Sequence, residues 1–127
     1  MSKAVEITVS LTDSRTNPPK LTLKDSEGNS SKGDDITSSV DPGVTVTWIP
    51  DYSSGISELT GITKNTKITK DNYTLLDGNP VPKDGNYVGT IVTKSPGKGK
   101  KEYYCIGFKI DGDDTPYSDD PKLQMRN

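Results

Sequence analysis

Residues 5–12 change polarity at every step: Val5, Ile7, Val9 and Leu11 are apolar, while Glu6, Thr8, Ser10 and Thr12 are polar. Successive side chains of an extended strand point to opposite faces, so this rhythm gives one buried and one solvated face. The rhythm returns at Leu21 and Leu23, at Val44, Val46 and Trp48, and at Tyr104, Ile106, Phe108 and Ile110, opposed by Tyr103, Cys105, Gly107 and Lys109. Helix formers are scarce. A single Ala stands against 13 Ser, 15 Thr, 12 Gly and 9 Pro, an inventory of strands and turns.

The punctuation between these runs follows turn chemistry. Thr16-Asn17-Pro18-Pro19 ends the first run, because consecutive prolines cannot donate to a ladder. Asp25-Ser26-Glu27-Gly28-Asn29 and Asp41-Pro42-Gly43 are turn signals, with a weak strand expected from Ile36 to Val40 between them. From Asp51 to Leu76 the pattern is harder. Ile56, Leu59 and Ile62 have helical spacing broken by Gly55 and Gly61, which leaves room for one helical turn and no long helix. Ile68, Tyr73, Leu75 and Leu76 are assigned to one or two short strands, and Gly78 to Pro82 to a loop. A strand is expected from Tyr87 to Lys94, a hairpin loop from Ser95 to Lys100, a strand from Lys101 to Ile110 and a closing strand from Lys122 to Met125. Trp48, the one tryptophan, is the expected core anchor. The pattern predicts an all-β chain: an antiparallel Greek-key β-sandwich of about 7–9 short strands with little or no helix, residues 1–127 forming a single domain.

Leu, Ile, Val and Phe make up only about a fifth of the chain, the level at which disorder becomes an issue. Disorder also needs a large net charge, and the formal charge here is −2. A folded domain with a thin core is expected.

The absence of histidine does most to narrow function. It removes Ser-His-Asp and Cys-His catalysis, His-ligated zinc and blue copper. One cysteine, Cys105, rules out an internal disulfide, a redox pair and a four-cysteine metal site. Cys105 lies mid-strand with no nearby base to lower its pKa, so it reads as a quiet, partly buried thiol. No apolar run of about 18 residues exists to span a membrane, and balanced charge disfavours nucleic acid. The first residues lack the profile of a secretory leader, so the expected location is the cytoplasm, or outside the cell if a leader has been removed.

Val44-Thr45-Val46-Thr47-Trp48, Tyr103-Tyr104-Cys105 and Asp120-Pro121-Lys122-Leu123-Gln124-Met125 together resemble a cupredoxin-like or immunoglobulin-like bacterial sandwich over about 80 residues. Copper-binding members use a Cys and a Met with two histidines. This chain has Cys105 and Met125 and no imidazole, so the resemblance implies a copper-free module. Ser95-Pro96-Gly97-Lys98, the Tyr104–Phe108 strand, and Tyr117 ahead of Asp120-Pro121 are similar to the PixA/AidA-type inclusion-body family. That likeness implies a cytoplasmic, self-associating, glycan-binding protein.

Two charged clusters are the candidate sites. Asp111, Asp113, Asp114, Asp119 and Asp120 place five carboxylates in ten residues. Hard oxygen ligands of this kind suit Ca²⁺, although the spacing is not that of an EF-hand; a solvated acidic loop is the bland reading. Lys94, Lys98, Lys100 and Lys101 form a basic glycine-rich loop with no phosphate-loop pattern, read as an interaction surface. The two clusters flank the strand from Lys101 to Ile110, which rises roughly 33 Å, so they should sit at opposite poles. The reading that follows is a non-catalytic structural or interaction module without a cofactor, a homo-oligomer associating head to tail through its oppositely charged ends. Its alternative is a calcium-assisted carbohydrate-binding domain, with Tyr52, Tyr73 or Tyr117 stacking on sugars.

Overall fold

The protein is described by a computed structural model that covers residues 4–13, 19–26, 28, 30–32 and 36–126. Each alternating run becomes a strand: β1 (Val5–Asp13), β2 (Lys20–Asp25), β5 (Thr45–Pro50) and β9 (Lys101–Ile110) carry the apolar faces read above. Between and after them come β3 (Ser30–Lys32), β4 (Thr37–Val40), β6 (Ile56–Lys64), β7 (Val81–Lys83), β8 (Asn86–Thr90), β10 (Asp113–Asp119) and β11 (Lys122–Met125). One sheet has the order β3-β2-β1-β5-β8-β7; the other runs β10-β9-β11-β4, with β6 also paired to β9. Both β10 and β6 pair with residues 106–110 of β9, so they flank it on opposite edges. The all-β sandwich is as expected. Its sheets are mixed, because β1 runs parallel to β5 and β4 parallel to β11.

The described residues form eleven strands. Two three-residue strands have no counterpart in the sequence pattern: β3, just past the Asp25–Asn29 turn, and β7, which overlaps the end of the stretch assigned to a loop at Gly78–Pro82. β7 is created by the Asp84-Gly85 turn, whose φ values of 52° and 87° suit a two-residue hairpin back to β8. At the edge of the sheet, Pro82 pairs with Tyr87, one step out from the Lys83–Asn86 pair that closes the turn. Its backbone nitrogen therefore faces away from β8, and proline offers no donor there to another strand.

Where the sequence suggested helical spacing, the structure has β6. Ile56, Leu59 and Ile62 are all buried, every third residue, because register shifts fall between Ile56 and Glu58 and between Leu59 and Gly61. Each bulge adds one residue to a two-residue repeat. The helical turn lies just before, a 3₁₀ turn at Tyr52–Ser54 capped by the Asp51 side chain. Ile68, Tyr73, Leu75 and Leu76 lie in no strand; the segment is irregular apart from a single bridge between Leu76 and Ile91.

The expected hairpin at Ser95–Lys100 is a crossover. β8 ends at Thr90 and pairs with β5, whereas β9 belongs to the facing sheet, so residues 91–100 carry the chain from one sheet to the other. Alternation alone cannot distinguish strands that pair with each other from strands that face each other.

Between the sheets the core centres on Trp48, Tyr104, Phe108 and Ile7, each fully buried. Trp48 and Tyr104 meet edge to face at 5.5 Å, and the indole N–H donates to the Tyr104 hydroxyl at 3.1 Å. Burial holds the Tyr104 phenol well above the usual tyrosine range, so it stays protonated. Level with Ile7 and Trp48, Ser38 of β4 donates to the Asp25 carboxylate of β2 at 2.6 Å, joining the two sheets. Among the described residues, every buried side-chain nitrogen and oxygen has a partner, and no helix is long and apolar enough to cross a membrane.

Candidate functional site: a tyrosine and lysine cleft at the start of β9

Beyond β6, residues 65–77 run along the edge of β9 and are held by polar side chains. The Asn65 and Tyr73 amides donate to the Tyr103 and Lys101 carbonyls, at 2.9 and 2.7 Å. The Asn72 side chain accepts from the Tyr103 amide at 2.9 Å and donates to the Asn65 and Ile68 carbonyls at 3.0 and 2.7 Å. Glu102 is 2% exposed, and its Oε1 accepts from the Leu75 and Leu76 amides at 2.7 and 2.8 Å. Its Oε2 lies 3.8 Å from Lys64 Nζ, which donates to the Tyr73 carbonyl at 2.9 Å. This glutamate was not singled out from the sequence. The signal was there: the parity that buries Tyr104, Ile106, Phe108 and Ile110 places Glu102 on the same face.

These bonds bring Tyr73 up to the last residues of the lysine loop. A cleft of about 280 Å³ opens there, lined by Asp71, Tyr73, Gly99, Lys100, Lys101 and Tyr103. Lys100 Nζ sits 4.8 Å over the Tyr73 ring and donates to its hydroxyl at 3.4 Å; Lys122 Nζ lies 5.8 Å from the Tyr103 ring centre. The loop itself is fixed, because the Gly99 amide donates to the Met125 carbonyl and the Met125 amide to the Lys100 carbonyl, each at 2.8 Å. Gly97 and Gly99 take φ values of 134° and 84°, which side chains rarely adopt. The two lysines of the cleft outnumber its one carboxylate, a surplus of positive charge suited to an anionic group. Of the four lysines named from the sequence, Lys100 and Lys101 line it, whereas Lys94 and Lys98 project into solvent.

At the other end of β9 the acidic segment is a turn and a strand rather than one loop. Asp111 and Gly112 make the turn, and β10 then runs back along β9, so that Asp113 pairs with Ile110 and Asp119 with Ile106. The five carboxylates are thereby divided. Asp111, Asp113 and Asp114 stay at the far end, while Asp119 and Asp120 return toward the middle of β9. The Asp113 carboxylate accepts from the Tyr117 hydroxyl at 2.7 Å and the Thr115 amide at 2.8 Å, which hold it below the usual carboxylate range. Asp120 accepts from the Cys105 thiol at 3.2 Å. Among the described residues, no three His, Cys, Asp or Glu side chains are placed together to hold a metal ion.

Burial, reinforced by Asp120, pushes the Cys105 thiol up to about 11, so it is protonated at neutral pH and a poor nucleophile. Of the tyrosines offered as stacking platforms, Tyr117 packs against Phe108 with ring centres 5.9 Å apart. Tyr52 is 53% exposed and stands apart from the cleft, where it donates to the Gly85 carbonyl. Only Tyr73 reaches the cleft.

No family model matches the chain, and no curated protein matches it. Among solved structures it is similar to the crystal structure of an inclusion body protein, PixA, from Burkholderia cenocepacia. The two share 11% identity with a TM-score of 0.57, covering 98% of this chain and 96% of that one. At this identity the likeness shows the fold alone.

Proposed function

We propose that the chain is a non-catalytic structural module that associates head to tail with copies of itself through its oppositely charged ends. The observation that carries this reading is the charge at the two ends of β9: Lys94, Lys98 and Lys100 precede it and Lys101 opens it, and Asp111, Asp113 and Asp114 follow its end. Ten strand residues separate the clusters by roughly 33 Å, several times the Debye length of about 8 Å at physiological salt, so each end presents its own field. Unlike ends attract, and such a contact leaves one free end on each copy, so it propagates. The similarity over nearly the whole chain to an inclusion body protein supports an assembling role.

Sedimentation velocity across protein and salt concentration tests this. At low salt the mean mass should rise with protein concentration, and about 0.5 M salt should return it to 13.7 kDa, because exposed ion pairs contribute little once screened. A monomer under every condition would remove the reading.

A further inference from the structure

We propose that the cleft at the start of β9 receives the Asp111–Asp114 turn of a second copy of the chain. This inference rests on the head-to-tail reading above and names the two surfaces that meet.

The cleft brings two ammonium groups, Lys100 and Lys101, against one opposing carboxylate, Asp71, and walls them with the Tyr73 and Tyr103 rings. The turn is its complement. Pairing of Ile110 with Asp113 closes it, Gly112 takes a φ of 77° within it, and the Asp111 amide is anchored to the Gly55 carbonyl at 2.8 Å. Asp113 is engaged by Tyr117 and Thr115, which leaves Asp111 and Asp114 as the exposed carboxylates of a narrow, fixed tip. The neighbouring cation, Lys109, is paired with Glu58 at 3.5 Å and leaves the tip negative. Both surfaces are held by backbone hydrogen bonds before they meet, which lowers the ordering cost of association. A molecule cannot fill its own cleft, since cleft and turn lie at opposite ends of one strand. The contact is therefore between copies, head to tail.

The test uses two charge-reversed variants, one carrying Lys100→Glu with Lys101→Glu and the other Asp111→Lys with Asp114→Lys. Each is checked for wild-type circular dichroism and studied by sedimentation at low salt. Each variant alone should remain a monomer. An equimolar mixture should regain assembly, because the intact turn of one variant meets the intact cleft of the other and the two reversed surfaces are themselves of opposite charge. The milder pair, Lys101→Gln and Asp111→Asn, keeps side-chain size and should weaken assembly in the same pattern. Assembly of either reversed variant as in the wild type, or a mixture that stays monomeric, overturns the assignment of these surfaces while leaving self-association standing. A wild-type chain that never assembles overturns both.

Discussion

Replacing Glu102 by alanine should cost about 2–6 kcal/mol of stability, the range for leaving two buried amides without their acceptor. The reason lies in what the carboxylate holds. Its Oε1 satisfies two successive backbone amides, Leu75 and Leu76, in a segment without a strand ladder, and its Oε2 faces Lys64. Truncation leaves both amides buried without an acceptor, each costing about 1–3 kcal/mol. Glu102→Gln keeps a carbonyl oxygen in the same place and should lose roughly half as much or less. Denaturant melts give the size of the effect, and hydrogen exchange locates it: the Leu75 and Leu76 amides should lose protection in the alanine variant and keep most of it in the glutamine variant. Equal stability of wild type and alanine variant, with both amides still protected, would show that Glu102 is not the clamp. Because this clamp positions Tyr73, the alanine variant should also lose low-salt assembly.

Trp48→Ala should be as damaging, at about 3–5 kcal/mol, or on the order of 15 °C in Tm for a chain of this length. Trp48 is fully buried on β5 and meets Tyr104 of the facing sheet. Its removal opens a cavity between the sheets and takes away the donor to the fully buried Tyr104 hydroxyl. Against a typical total of about 5–15 kcal/mol, such a loss leaves a thin-cored domain close to unfolding. Tyr104→Phe separates the contributions, since it preserves the ring contact and strands only the indole N–H, for about 1–3 kcal/mol. Thermal unfolding of the pair checks both. A tryptophan variant no less stable than the tyrosine variant would mean that the aromatic contact does not join the sheets.

The residues show why some elements were readable and others were not. β9 and β11 follow from local alternation over their whole length, and β1 follows from it over Val5–Ser10. β6 hid behind its two bulges, which turn that period into the three-residue spacing of Ile56, Leu59 and Ile62. Residues 65–77 were misread because side chains distant in sequence, Glu102 above all, hold them in place, and no local pattern encodes that. The candidate site was visible in pieces. Lys100, Lys101 and Tyr73 each stood out, but long-range contacts unite them, the Tyr73 amide with the Lys101 carbonyl and the Lys100 ammonium with the Tyr73 ring, and Asp71 carried no signal at all. The five aspartates looked like one group because sequence proximity ignores the return of β10 along β9.

A module with one basic and one acidic end should grow in a single direction. Small-angle X-ray scattering at low salt, as protein concentration rises, reads this directly. Particle length should increase while the cross-section stays that of one sandwich, and added salt should collapse the length to a single molecule. Growth in cross-section together with length, or particles of single-molecule size throughout, would contradict head-to-tail assembly.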